Sequence, residues 1–568
     1  MAAAVALVSE ILGKICKLKL AMENNEEVSM AFPSHGTTHR STVTGTRGMV
    51  TSAHPLASLA GARMLLAGGN AFDAAVAVAS TLNVVEPYMS GIAGNGYMLL
   101  YSAKEKAHRV IDYLGTAPYA ATLDVYPTLE SQQVGIRAGM VPGGCGGWLA
   151  LLDRYGSMDR ADIFAPAIES AENGYAVTVK NAEFIAGARP YFSERAEEVI
   201  ASRGRTPHPG ELLVQKDLAQ TFRTVAEGGA EAFYRGEIAE EIVRFSEETD
   251  GLITEKDLAD FEVEWQDPIS VTYKDYEVYC PPPPCSGFQY LETLNILEND
   301  ALGELGHNTP EYLHLLIEAI KLASADRAEY APRPNPPIEK LLSKDYAQAQ
   351  RERIGELAAV SGGERWSKDK LPGEIVADDW TTECTTHFDT ADAEGNIVAV
   401  TQSLGQAFGS GVILGSTGMF LNNFMNWFDR IPESPNAVGP HKRIEMCMSP
   451  CQVWKNGNPF AAIGTPGSHG ILQTTLQLVL NLIEHGMNVQ AAIEAPRIRL
   501  VKPGTHVSME GRIPVAVRAA LEARGHDVEV LPDWTATVGG GHGIAFDTEE
   551  GSFMGGADPR RDGYAIGV

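Results

Sequence analysis

The chain has 568 residues, 44% of them hydrophobic and 21% charged, a composition that excludes a disordered or fibrous protein. Lys and Arg number 45 against 73 Asp and Glu, and the net charge of −28 argues against an extended surface for nucleic acid or an anionic membrane. Seven scattered cysteines (Cys16, Cys145, Cys280, Cys285, Cys384, Cys447 and Cys451) exclude a disulfide framework, and a chain this long needs neither metal nor disulfide for stability.

Met1–Val8 is small and apolar but lacks a basic segment before it and a clean cleavage site after it, so a cytoplasmic location is expected. No stretch approaches about 18 uninterrupted apolar residues, and no membrane span is expected. Residues 1–47 read as a lead-in. A small-residue helix is predicted from His54 to Leu66, stopped by Gly68-Gly69-Asn70, and a second from Ala71 to Leu82, so rich in Ala and Val that it should be buried all round. The glycine-rich Ser90–Gly96 leads into a buried strand at Tyr97–Tyr101. From about 155 to 330 amphipathic helices alternate with loops, Tyr312–Tyr330 being the longest helical pattern. The run Cys280-Pro281-Pro282-Pro283-Pro284-Cys285 reads as a stiff extended connector, and residues 353–384 as a mobile linker.

Beyond Thr385 the texture becomes strand-like. His387–Asp392 and Ile397–Gln402 flank Glu394-Gly395-Asn396, a hairpin signal. Further strands are expected at Val412–Leu414, Met419–Asn422, Met448–Trp454, Pro459–Ile463, Val528–Leu531 and Gly543–Phe546, with a helix at Ile471–His485. Strands following a mostly helical first part suggest helices packed on antiparallel sheets.

Familiar chemistry is missing from the pattern. There is no His-Glu-x-x-His and no Cys-x-x-Cys, so no metal and no cofactor are expected. Gly91–Gly96 lacks the features of a phosphate or dinucleotide loop, and Ser468 in Gly467-Ser468-His469-Gly470 is no nucleophile elbow. The informative stretch is Cys384-Thr385-Thr386-His387-Phe388, where a charged linker meets a buried strand. A threonine hydroxyl needs a base to become a nucleophile, and its own α-amine, with a pKa of about 7.7–8.0, can serve once the preceding peptide bond is cut.

These residues, together with Ser52-Ala53-His54-Pro55, Gly68-Gly69-Asn70-Ala71-Phe72-Asp73, Val85-Glu86-Pro87, Ala325-Asp326-Arg327-Ala328-Glu329-Tyr330 and Ala557-Asp558-Pro559-Arg560, resemble the γ-glutamyltranspeptidase family of N-terminal-nucleophile (Ntn) hydrolases over about Gly48 to Val568. The resemblance implies an α+β fold, the Ntn-hydrolase four-layer αββα sandwich with two antiparallel sheets between helical layers. It implies a precursor that cuts itself between Cys384 and Thr385 into a large chain ending at 384 and a small chain, 385–568, that fold together. Thr385 would be the nucleophile, Ser403 the family's neighbouring hydroxyl, and the N–H groups of Gly467 and Ser468 the oxyanion hole.

The departures fall on the substrate side. Where the family grips the glutamyl head group with charged and polar side chains, this sequence has Leu114, Gly405, Phe424, Trp427, Met446 and Cys447. A zwitterion against such a lining would lose its charged partners. The expected function is therefore a self-processing amide hydrolase or acylase with an uncharged or aryl-bearing acyl substrate. An oxamate-like acyl group would need a cation such as Arg443 or His469. A γ-glutamyltransferase or glutathione hydrolase using other glutamate contacts, and a non-catalytic scaffold homologue, are the alternatives. Core packing is the competing role for Phe424, Trp427, Met446 and Cys447. The expected partners are a small-molecule amide and the two processed chains for each other, with a homo-oligomer left open.

Overall fold

The computed structural model describes residues 38–362 and 384–568. The predicted small-residue helices lie at Pro55–Leu66 and Ala71–Val85. The second is closed by a capping box in which the Asn70 side chain accepts from the Phe72 and Asp73 N–H groups while Asp73 accepts from the Asn70 N–H. All of its residues are buried, as the Ala and Val content requires, and it runs to Val85, with Glu86 as its C-cap.

Two seven-stranded antiparallel sheets form the centre. One has the order Tyr564–Gly567, Gly48–Ser52, Cys384–Asp392, Ile397–Gly405, Asn95–Ser102, Ala107–Asp112, Glu264–Gln266. The other runs Val43–Gly45, Ser552–Ala557, His542–Asp547, Asn458–Gly464, Cys451–Lys455, Tyr276–Cys280, Ile269–Tyr273. The predicted hairpin is present, with Gly395 at φ +91° in its turn.

Side-chain alternation along Cys384–Asp392 explains the layers. Cys384 and Phe388 join an outer core with Val398, Val400 and the helix Ala71–Val85. Ala391 instead meets Met49, Ile544 and Phe553 between the sheets, and His387 lies against Gly464 of the opposite sheet. On the far side Leu291, Leu313, Ile317 and Leu476 from three helices cover Val278, Val453 and Ile463. The result is the helix–sheet–sheet–helix sandwich expected from the resemblance.

Several elements differ from the sequence expectation. Strands from before Thr385 are interleaved with strands from after it in both sheets, and the hairpin Ile269–Tyr273 with Tyr276–Cys280 lies inside the region read as helices and loops. The four prolines turn rather than run extended, since the Cys285 N–H donates to the Pro282 carbonyl at 3.0 Å. Val412–Leu414 and Met419–Asn422 meet only through the bridge Ile413–Phe420, and the strand expected at Met448–Trp454 is Cys451–Lys455. Within the lead-in, Val43–Gly45 is an edge strand; the segment Met1–Val8 lies outside the described residues. Of the linker, Ala358 and Ser361 are tied down by backbone bonds to Arg524 and Gly504, whereas 363–383 lie outside the described residues. Among the described residues no helix is long and apolar enough to cross a membrane.

Candidate active site

The strand beginning at Cys384 pairs with Ile397–Gly405, and its register slips where the nucleophile candidate sits. Cys384 lies opposite Gly405 but Thr386 opposite Gln402, so Ser403 and Leu404 together face the single residue Thr385. Such a bulge re-aims side chains at a strand end. Thr385 is 4% exposed and shares the inward parity of His387 and Asp389, toward the second sheet. The Ser403 Oγ donates to the carbonyl of Cys384 and accepts from the Gly405 N–H at 2.8 Å. The structure thus brings Cys384, Thr385 and Ser403 together.

Facing them across the sheets, Asn458–Gly464 runs into the loop Thr465–His469 and the helix Gly470–Ile483. Gly467 has φ +132° and Ser468 φ +54°. The Gly467 carbonyl accepts from the Gly470 N–H at 3.0 Å and from Arg499 Nη2 at 3.1 Å. Because the peptide is planar and trans, the Ser468 N–H points the opposite way, out of the turn. The Thr465 hydroxyl accepts from the Gly540 N–H at 3.0 Å, and Gly540 in turn lies against the aliphatic chain of Arg561. Arg561 Nη1 reaches the Thr385 carbonyl at 3.3 Å, which links this loop to the strand Cys384–Asp392.

Two polar groups behind Thr385 were not among the residues expected from sequence. Glu86 accepts from the Thr386 hydroxyl at 3.0 Å, and burial pushes its carboxyl up to about 7 against the pull of Arg561. Their signals were present: Glu86 stands in Val85-Glu86-Pro87, and Arg561 follows Asp558-Pro559-Arg560. Farther along the strand, His387 Nδ1 meets Thr401 Oγ1 at 2.9 Å and its Nε2 meets Asp389 at 3.2 Å. Burial raises the Asp389 carboxyl, opposed by His387.

The six positions expected to meet substrate fall in two settings. Leu114, Phe424, Met446 and Cys447 are buried in the large core beyond the second sheet, as the competing packing role would have them, with Trp427 half-buried against that core. Gly405 ends the bulged strand, where a Cβ would strike Asn423 Oδ1 at 2.2 Å, and the Asn423 N–H donates to the Leu404 carbonyl at 2.9 Å. The turn Phe424–Trp427 therefore hangs on the residue after Ser403. The Trp427 ring lies 4.9 Å from that of His469, and His469 is 3.6 Å from Glu445. Burial would raise the Glu445 carboxyl, but His469 and Arg327 hold it down at about 2. Arg443 pairs with Asp112 and Glu264, and its Nη2 is 3.4 Å from the Leu114 carbonyl.

One cluster elsewhere has metal-ligand residue types: His314, Glu318 and His526. Its acceptors are engaged, since Glu318 takes the Lys321 ammonium at 2.7 Å and the Ala359 N–H at 3.2 Å, and His314 Nε2 meets the Gly355 carbonyl at 2.9 Å. An ammonium already neutralises the carboxylate, and the cluster acts as a clamp on residues 355–359.

Known proteins resemble this chain over most of its length. A sequence profile described as Gamma-glutamyltranspeptidase matches residues 57–568. The acylase ACY 1 proenzyme of Pseudomonas sp. (strain V22) is 37% identical over 561 residues, covering 94% of this chain and 95% of its own. The glutathione hydrolase proenzyme of Bacillus subtilis (strain 168) is 36% identical over 555 residues, covering 92% of each. Among solved structures, cephalosporin acylase from Bacillus halodurans superposes with a TM-score of 0.85 at 34% identity, covering 94% of this chain and 98% of that one.

Proposed function

Because the chain belongs to the γ-glutamyltranspeptidase family, whose similar members include acylase and glutathione hydrolase proenzymes, we propose that it is an amide hydrolase that cuts itself before Thr385 and then uses Thr385 as nucleophile. The observation that carries this reading is the Ser403 hydroxyl, trained on the Cys384 carbonyl opposite a bulge centred on Thr385. In self-cleavage the Thr385 Oγ attacks the Cys384 carbonyl carbon, Ser403 stabilises the developing oxyanion, and the C–N bond breaks as the hydroxyl proton passes to its nitrogen, leaving an ester that water hydrolyses. The freed α-amine then takes the hydroxyl proton as Thr385 attacks the substrate amide, and returns it to the departing amine. The outward N–H of Ser468, with that of Gly467, at the mouth of helix Gly470–Ile483 supplies donors for the substrate oxyanion.

The acyl group this reading favours is uncharged, because none of Leu114, Gly405, Phe424, Trp427, Met446 and Cys447 brings a charged side chain, and Leu114, Phe424, Met446 and Cys447 are buried in apolar core. A second reading, a glutamyl head group held by other residues, draws support from Arg443 beside Leu114; two carboxylates, Asp112 and Glu264, already occupy that guanidinium. Purified protein should run on a denaturing gel as chains of about 41 and about 20 kDa, and the smaller should begin Thr-Thr-His-Phe. An active, uncut chain would overturn the mechanism.

A further inference from the structure

The turn after helix Ala71–Val85 touches both strands at the bulge. Its Glu86 carboxylate holds the Thr386 hydroxyl, its Met89 carbonyl accepts from the Leu404 N–H at 3.1 Å, and its Met89 sulfur lies 3.2 Å from Arg561 Nη1. The same Nη1 holds the carbonyl of Thr385. A residue's carbonyl oxygen and α-nitrogen are roughly 3 Å apart, so the guanidinium lies within about 6 Å of the nitrogen that becomes the amine. A cation there disfavours the ammonium form, and a carboxylate nearby favours it. The cation holds the carbonyl of Thr385, and the carboxylate holds the hydroxyl of the next residue, Thr386.

We propose that Arg561 and Glu86 form a positioning pair behind Thr385 that sets the basicity of its α-amine, Arg561 lowering it and Glu86 restoring it. The inference rests on Thr385 being the nucleophile. Of the other groups packed around the pair, Asp562 adds a negative charge that helps raise the Glu86 carboxyl, and it is common to the wild type and every variant below. Burial raises the phenols of Tyr88 and Tyr175 and pushes His542 down to about 3, so all three are neutral near pH 7. Asp562 keeps its charge while accepting from the Thr178 hydroxyl at 2.6 Å, whereas Asp558 is neutralised by Arg497 and Arg560. Burial pushes the Glu86 carboxyl up to about 7, next to the ordinary α-amine range of about 7.7–8.0, so the wild-type limb belongs to both groups.

The test is the pH dependence of p-nitrophenyl acetate hydrolysis by the processed protein from about pH 5 to about pH 9, with the Thr385→Ala rate subtracted. Arg561→Gln should move the acidic limb of kcat/KM up by about one pH unit, and Glu86→Gln should move it down by a similar amount. Arg561→Lys should keep the wild-type limb, and the double variant should return toward it. A packing role would lower rates without moving the limb in opposite directions. Limbs that stay fixed, or shift the same way, overturn the proposal. If Arg561→Gln does not fold, Glu86→Gln and Arg561→Lys decide. N-terminal sequencing of the same wild-type preparation separates the two failures: a small chain that does not start at Thr385 sinks the nucleophile reading, whereas one that does, with unmoved limbs, sinks only the pair.

Discussion

The hydroxyl of Ser403 donates to the carbonyl oxygen of Cys384, on the acyl side of the bond to Thr385, while it accepts from the N–H of Gly405. A hydroxyl so held is oriented for the precursor's own peptide before any substrate arrives. Ser403→Ala should therefore slow conversion of the full-length band by about 100- to 1,000-fold, the usual cost of one oxyanion donor. Ser403→Thr should process normally. Equal rates for Ser403→Ala and wild type in a timed gel series would remove Ser403 from the mechanism.

The loop at 467–468 makes two opposite forecasts. Gly467 at φ +132° has a conformation other residues rarely adopt, so Gly467→Ala should lose about 100- to 1,000-fold in turnover, with about 1–3 kcal/mol of backbone strain. Ser468 at φ +54° already carries a left-handed conformation, so Ser468→Gly keeps the N–H and relieves the side chain. Its turnover should stay within a factor of a few of wild type, and a collapse would show that the Ser468 hydroxyl itself is needed.

Substrate choice follows from the lining. Each charge-assisted hydrogen bond missing around a glutamyl head group is worth about 1.5–3 kcal/mol, so kcat/KM for γ-glutamyl-p-nitroanilide should fall at least about 100-fold below that for an uncharged aryl-acyl anilide. Leu114→Arg should not rescue it, since the new cation would be buried in the apolar core that now holds the leucine. Efficient glutathione cleavage on the same preparation would favour Arg443 as the glutamate contact.

Acid should destabilise the fold through buried histidines. Burial pushes His542 down to about 3 from 6.5, and neither ring nitrogen has a hydrogen-bond partner among the described residues. The unfolded chain binds this proton first, so the contribution is whole above about pH 6.5 and is lost as the pH falls toward 3. His54, lowered to about 4, acts in the same direction. The melting temperature should drop steadily from pH 7 to pH 4, and His542→Leu should flatten that slope. An unchanged slope would assign the acid sensitivity elsewhere.

Much of the scaffold was legible because its signals are local. The Ala- and Val-rich run 71–82 could only be a helix buried on every side, and the Gly395 turn between alternating runs could only be a hairpin. The slip opposite Thr385 was not legible, since it depends on which strand pairs with which, and nothing in Gln402-Ser403-Leu404 marks it. Arg561 and Glu86 reach the site from 176 and 300 residues away, across elements whose adjacency only the folded sheets define. The proline run misled because stiffness does not dictate direction.

The interleaving of the sheets bears on what a cut chain can do. Cys384–Asp392 lies between Gly48–Ser52 and Ile397–Gly405, and the latter lies against Asn95–Ser102, so each piece supplies strands the other needs. The two pieces cannot part as intact bodies, because separating them would expose sheet edges and tear both cores at once. Dissociation and unfolding would then be one event, and recovery from it would require two molecules to meet. A processed enzyme of this build would withstand dilution as long as it stays folded, yet lose the one-chain route back once melted. Heating should leave the uncut Thr385→Ala protein able to refold and the processed protein not.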